Sequence, residues 1–118
     1  MKLGLIIPFC DRSDLLKKCL DSVAKKTFLH EIELLLIDDA SVYYETVRTY
    51  EGSYIPNCNK KIVRFEVNQG IRKNLAYGFD YMFGLGVDFA ISLDSDTIVT
   101  SDFIERIVEL KLRLPVIS

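Results

Sequence analysis

The chain has no excess of charge of either sign, no cysteine pair at metal-binding spacing and no apolar run long enough for a bilayer. Each lack excludes something. Fifteen Lys and Arg face seventeen Asp and Glu, a formal net charge of −2 at pH 7. That balance gives no long-range attraction to a nucleic-acid backbone or an anionic membrane, so no nucleic-acid partner is expected. The three cysteines, Cys10, Cys19 and Cys58, are odd in number and contain no C-x-x-C, and the lone His30 cannot complete a zinc set with them. Unpaired thiols fit a reducing compartment, which points to a cytoplasmic or cytosol-facing protein. No stretch reaches the roughly 20 apolar residues of a membrane span. The amino-terminal run Leu3–Ile7 is stopped by Pro8, with no small-residue cleavage site before Asp11 and Arg12, so no signal peptide is expected.

What is present is the composition of a soluble globular domain. With 118 residues, 49% hydrophobic and 27% charged, residues 1–118 are read as a single domain. Folding at that size buries roughly 65% of the unfolded surface, enough for a core without staples. Four short apolar runs, Leu3–Ile7, Ile32–Ile37, Ile62–Val67 and Phe89–Leu93, are each followed by a helical pattern. The first of them, Leu3–Ile7, is continuous and β-rich, as expected of a strand covered on both faces. After the first run, Ser13 stands as an N-cap and Lys25-Lys26 as the last turn, while Leu15, Leu16, Cys19, Leu20 and Val23 fall on one helical face. A second helix is expected over Val42–Tyr50, followed by a loop at Gly52, Pro56 and Asn57. A third spans Ile71–Phe83, with Ile71, Leu75, Phe79, Met82 and Phe83 on its packed side, its aromatics in the core, and Gly84 and Gly86 as stop signals. The last starts near Ser101 or Asp102, where Asp102-x-x-Glu105 reads as a capping box, and Leu114–Ile117 opens a fifth strand. Strands alternating with helices predict an α/β fold, a Rossmann-like, mostly parallel sheet with flanking helices. Right-handed crossovers then bring the four strand ends to one rim, where open α/β sheets bind ligands.

The polar residues on that rim carry the chemistry. Pro8-Phe9-Cys10-Asp11-Arg12 follow the first strand, Asp38-Asp39 the second, Asn68 and Gly70 the third, and Asp94 and Asp96 the fourth. Four acidic side chains around one crevice repel each other unless a cation or donor groups offset them. Hard divalent ions take carboxylate oxygens and share their sphere with phosphates, so a metal-assisted phosphate ligand is one reading. Helix capping and strand termination by Asp are the other.

In order along the chain, Leu5-Ile6-Ile7-Pro8-Phe9-Cys10-Asp11-Arg12, Leu15-x4-Leu20-x-Ser22-Val23, Glu31 to Ser41 with its Asp38-Asp39-Ala40-Ser41, Asn68-Gln69-Gly70 and Leu93-Asp94-Ser95-Asp96 resemble the blocks of family 2 glycosyltransferases. The resemblance covers nearly the whole chain and implies a GT-A fold, the nucleotide-diphospho-sugar transferase type. The family's Tyr-Asn after the first Pro is Phe9-Cys10-Asp11 here, its Gly in D-D-G-S is Ala40, and its wider spacing from N-x-G to A-R-N is compressed to Gly70-Ile71-Arg72-Lys73-Asn74.

That resemblance implies a metal-dependent, inverting glycosyltransferase whose partner is a nucleotide-diphosphate sugar, with an acceptor glycan, lipid or protein unspecified. Pro8, Phe9 and Asp11 would lie along the nucleotide, Phe9 offering its ring or its backbone to the base. Asp38 would accept the base's ring N–H, which favours a UDP-sugar. Asp94 would hold ribose hydroxyls or reach the metal, Ser95 would lie against the donor, Asp96 would bind Mn2+ or Mg2+ directly, and Arg72 or Lys73 would add a cation beside the phosphates.

Asp39, pointing to the side opposite Asp38, is read as a cap, and His30 as a surface residue. Tyr43 and Tyr44, which follow the Asp38 loop, have two readings, contact with a base or a helix packing face, of which the second is preferred. The cysteines are small core residues, Cys10 on the rim being the one open to reaction. Nothing after Asp96 stands out as a general base, so the chain reads as the donor-binding, amino-terminal half of a GT-A domain, with an unpaired sheet edge favouring a homo-oligomer. A sugar-phosphate nucleotidyltransferase would show a Gly-rich loop after the first strand, which Pro8–Arg12 lacks. A receiver-like domain would place its acidic pair after the first strand instead of the second. A non-catalytic nucleotide-binding module remains the alternative.

Overall fold

A computed structural model of the chain describes residues 2–24, 31–56, 58–100 and 102–113. Strands and helices alternate throughout: β1 (Lys2–Phe9), α1 (Ser13–Ala24), β2 (Glu31–Asp39), α2 (Tyr44–Gly52), β3 (Cys58–Phe65), α3 (Ile71–Leu85), β4 (Phe89–Ser92) and α4 (Phe103–Arg113). The four strands form one sheet in the order β3-β2-β1-β4, and every pairing is parallel. The expected α/β architecture is therefore present, with all carboxyl ends of the strands on one rim. Lys25-Lys26, His30, Asn57, Ser101 and Leu114–Ile117, to which the sequence assigned a last turn, a surface role, a loop, a cap and a strand, lie outside the described residues.

Alternation along β1 divides the core in two. Leu3, Leu5, Ile7 and Phe9 join Leu16, Cys19, Leu20 and Val23 of α1, Tyr50 of α2, and Ile104 and Ile107 of α4 in one buried cluster. Ile6 points the other way and packs with Leu35, Ile37 and Met82. Because β1 and β2 are central and covered on both faces, their apolar runs are continuous, as the sequence reading expected of the first.

The packed line of α3 differs from expectation. Its buried residues are Asn74, Gly78 and Met82, while Ile71 and Phe83 are exposed at 58% and 73%. Among its aromatics, Phe79 and Tyr81 are only partly buried against the smaller cluster, and Tyr77 lies at the surface with its ring edge-to-face to Phe65 at 5.5 Å. The reason is close approach to β1. A Cβ on Gly78 would lie 2.7 Å from Ile6 Cγ2, and one on Gly4 would lie 2.7 Å from Met82 Sδ. A helix that nears a strand this closely buries its smallest residue, which a search for large apolar side chains passes over. Gly78→Ala is expected to overpack this contact by about 1–3 kcal/mol, only partly offset by the ~1 kcal/mol helix preference of Ala over Gly. Urea unfolding that shows the variant to be more stable than the parent would refute the close contact.

Helix ends also differ in detail. Gly84 lies inside α3, and Gly86, at φ 72°, ends it by donating its N–H to Phe83 O. Before α4, the Asp102 carboxylate takes the Thr100 hydroxyl at 2.8 Å and Arg106 Nε at 2.6 Å in place of the capping box.

Candidate functional site

Asp38 and Asp39 close β2, and strand alternation sends them to opposite faces. Asp38 faces α2 and is fully buried, at 0% exposure. Its Oδ1 accepts the Ser41 N–H at 2.9 Å, and its Oδ2 accepts the Tyr50 hydroxyl at 3.0 Å and Arg64 Nη1 at 2.6 Å. Arg64 is its direct partner in the β2–β3 register, and Arg64 Nη2 also donates to Ser41 O at 2.7 Å. Burial and the Asp38 charge push the Tyr50 hydroxyl above its ordinary range. For Arg64, burial works against the charged form, but Asp38 outweighs it and raises the guanidinium further.

Asp39 faces α3 and braces the loop that leads into it, in place of capping a helix. Its carboxylate accepts the N–H groups of Gln69 and Gly70 at 2.7 and 3.0 Å and the Asn74 amide at 3.0 Å. The Asn68-Gln69-Gly70 segment is thus moored to the end of β2, and the Asn74 side chain of α3 is tied to the same carboxylate. Burial alone would raise the Asp39 carboxyl, but those donors hold it below the ordinary range.

Asp11 reaches across from the loop after β1 to the loop after β2. The N–H groups of Val42 and Tyr43 and the Thr46 hydroxyl donate to its carboxylate. Here too burial would raise the group, and the donors prevail and lower it. For both Asp11 and Asp39 the unfolded pKa, near 4, exceeds the folded one. Stability from these groups is complete above about pH 4 and is lost as the pH falls through the folded values. Unfolding free energy is expected to drop steeply below about pH 4, with a shallower slope in Asp39→Asn, whose amide does not titrate. Identical slopes in the two proteins would contradict this.

Asp11, Arg12 and Ala40 all lie in the left-handed region, at φ 55°, 55° and 61°. Ala40 stands where the resembling family has glycine, and its φ gives the physical reason, since a Cβ is strained there. Ala40→Gly is expected to stabilise the chain by up to about 1 kcal/mol, read as a higher denaturation midpoint. A lower midpoint would show that the strain is relieved elsewhere.

The other rim residues fall into buried and exposed sets. Pro8 is buried, and the Phe9 ring, 4% exposed, is turned into the core 5.4 Å from Tyr50, so the ring is withdrawn from the crevice. Tyr43 and Tyr44, expected to pack, are exposed at 68% and 66%, with Arg48 lying 5.0 Å over the Tyr44 ring. They start α2 on its solvent side because the packed positions there are Thr46 and Tyr50. The Cys10 thiol is exposed, but desolvation and the charges of Asp11, Asp39 and Asp38 raise it, which disfavours the reactive thiolate.

Asp94, Ser95 and Asp96 follow β4, which Leu93 ties to β1 by donating its N–H to Ile6 O at 2.8 Å. A tight turn closes there, the Thr97 N–H donating to Asp94 O at 2.9 Å. Asp94 and Asp96 are exposed, Ser95 is half-buried, and neither carboxylate has a hydrogen bond or ion pair among the described residues. The Asp96 charge is felt by Cys19, whose thiol is raised to about 11, mainly by burial. Arg72 and Lys73 are exposed on the first turn of α3.

The four carboxylates therefore do not share one problem. Asp38 and Asp39 are neutralised within the protein, by Arg64 and by backbone and amide donors, whereas Asp94 and Asp96 have no counter-group among the described residues. Among the described residues no three His, Cys, Asp or Glu side chains converge as a protein cage. Two free hard-oxygen donors fit Mn2+ or Mg2+ of the kind that completes its sphere with phosphate and water. Arg64, Tyr50 and Thr46 were not singled out from the sequence, and Ser41 stood there only as the end of the Asp38-Asp39-Ala40-Ser41 block. A charged residue inside the apolar run Ile62-Val63-Arg64-Phe65 was the available signal for the first.

The family model described as Glycosyl transferase family 2 matches residues 5–117. An N-acetylglucosaminyltransferase of Bradyrhizobium diazoefficiens is 26% identical over 94% of this chain and 22% of its own length. One from Rhizobium leguminosarum bv. phaseoli is 28% identical over 95% of this chain and 26% of its own. The chain thus spans about a quarter of the length of these two relatives. In fold it is similar to S. aureus TarS 1-349 in complex with UDP-GlcNAc, with a TM-score of 0.76 and 23% identity over 92% of this chain and 30% of that one. It is also similar to the mannosyltransferase PcManGT from Pyrobaculum calidifontis in complex with GDP-Man and Mn2+, with a TM-score of 0.71 and 18% identity over 96% and 32%.

Proposed function

The chain belongs to glycosyl transferase family 2, and we propose that it carries the donor-binding part of a metal-dependent, inverting transfer of sugar from a UDP-sugar to an acceptor hydroxyl. One observation carries the reading: among the described residues, Asp94 and Asp96 are the rim carboxylates without protein partners, beside the end of β1, while Asp38 and Asp39 are satisfied internally. In this reading Asp94 and Asp96 hold Mn2+ or Mg2+, with the half-buried Ser95 between them. When bound, such an ion supplies positive charge that eases departure of the diphosphate. Arg72 or Lys73 adds a cation on the phosphate side. Asp38 stands below the base and accepts its ring N–H once the Arg64 guanidinium, 37% exposed, turns aside. Pro8 and Phe9 shape the floor beneath the nucleotide through their backbone.

UDP-GlcNAc is the first donor to test, since the relatives' names specify N-acetylglucosamine and a neighbour of the same fold binds that nucleotide sugar. Calorimetric titration with UDP-, GDP- and dTDP-sugars, each with and without Mn2+, tests the reading. UDP-sugar is expected to bind best, and only weakly without metal. Failure of every nucleotide to bind under either condition would overturn it.

A further inference from the structure

We propose that Asp11 is a positioning residue, gripping the loop after β2 so that Ser41 holds the Asp38 carboxylate in place to read the nucleobase. The proposal rests on the reading above, in which Asp38 meets the base. Two short loops, Asp11-Arg12 after β1 and Ala40 after β2, are bent into left-handed conformations that L residues disfavour. Contacts between the loops must hold both in shape.

Those contacts run in both directions. The Asp11 N–H donates to Ser41 Oγ at 2.7 Å, while the Asp11 carboxylate receives the Val42 N–H at 3.1 Å, the Tyr43 N–H at 3.0 Å and the Thr46 hydroxyl at 3.2 Å. Ser41 is the next link. Its N–H donates to Asp38 Oδ1 at 2.9 Å, and its carbonyl accepts Arg64 Nη2 at 2.7 Å. A shift of Ser41 therefore moves both the acceptor and its counter-cation. With three donors on its carboxylate, Asp11 acts through Ser41 and not on the nucleotide itself. Uracil presents a ring N–H at N3, and cytosine presents a lone pair there. A carboxylate fixed in position accepts from the first and repels the second, so the UDP-to-CDP affinity ratio reads how well Asp38 is held.

Affinities for UDP and CDP, with and without Mn2+, should be measured for the parent chain and for Asp11→Ala, Asp11→Asn, Asp11→Ser and Ser41→Ala. Amide exchange of Val42 and Tyr43 reports the grip without any ligand. The parent is expected to prefer UDP by about tenfold or more, the worth of one charge-assisted hydrogen bond. In Asp11→Ala the ratio is expected to fall to about twofold or less, with metal dependence kept and both amides exchanging at least about tenfold faster. Asp11→Asn, whose Oδ1 still accepts both N–H groups, keeps most of the preference, and Ser41→Ala, which keeps its N–H to Asp38 and loses only the acceptor of the Asp11 N–H, falls between the parent and Asp11→Ala. Should Asp11→Ala fail to fold, the contrast between Asp11→Asn and Asp11→Ser, whose shorter side chain does not span both N–H groups, carries the test. An unchanged ratio in Asp11→Ala, or equal weakening of UDP and CDP, overturns the positioning role. A parent chain that binds both nucleotides alike overturns the base reading, and this inference with it.

Discussion

Replacing Asp38 with alanine is expected to lower the unfolding free energy by about 3 kcal/mol, a larger loss than any exposed rim carboxylate would cause. The carboxylate is 0% exposed and serves donors from three elements of the chain. Its removal leaves the Ser41 N–H and the Tyr50 hydroxyl without an acceptor, and both residues are buried, at 2% and 3% exposure. An orphaned buried donor costs about 1–3 kcal/mol. Arg64 contributes little to the loss, because its side chain is 37% exposed and can turn into solvent. A fall of about 12 °C in Tm is the corresponding reading for a domain of this size. Asp38→Asn keeps an acceptor for Ser41 and should lose less. Measured below the transition, Asp38→Ala should also bind UDP about tenfold more weakly while keeping its response to Mn2+. Stability within about 0.5 kcal/mol of the parent would show that the network is not what holds this corner together.

Asp38 also marks where the sequence was legible and where it was not. The α/β order, the parallel sheet and the gathering of polar residues on one rim follow from apolar runs alternating with helical faces, and those patterns are local. The split of Asp38 and Asp39 to opposite faces is likewise local, a consequence of the two-residue period of a strand. What each carboxylate meets is not local. Arg64 lies opposite Asp38 because β3 pairs with β2 in one particular register, and a shift by one residue would have sent it to the other face. Phe9 shares the face of Leu3, Leu5 and Ile7 by the two-residue period of β1, so its ring enters their cluster and meets Tyr50. The buried line of α3 was missed for a different reason, since Asn74 and Gly78 carry no hydrophobic signal although the second sits against Ile6. The position of the Asp94-Ser95-Asp96 turn was readable because it directly follows the last apolar run, a local signal.

Asp96→Ala is expected to remove the Mn2+-dependent part of nucleotide binding, a loss of more than about a hundredfold in UDP affinity at saturating metal. The argument begins with what Asp96 lacks. It is exposed, follows a short strand beside β1, and has no hydrogen bond or ion pair among the described residues, so the fold does not depend on it. Exposed substitutions of this kind change stability by about 0.5 kcal/mol or less. Its neighbour Asp94 is in the same position, and no third acidic, histidine or cysteine ligand converges with them among the described residues. A metal held by so few protein oxygens depends on each of them, and on the phosphates that complete its sphere. Loss of one carboxylate should therefore uncouple metal from nucleotide, while UDP still meets Asp38, Arg72 and Lys73 at its metal-free strength. Asp94→Ala should behave similarly if both oxygens reach the ion, and should keep the metal response if Asp94 serves the ribose. Calorimetry with UDP, with and without Mn2+, paired with thermal unfolding of each variant, separates binding from folding. A UDP affinity in Asp96→Ala that still rises with Mn2+ as steeply as in the parent would place the metal elsewhere.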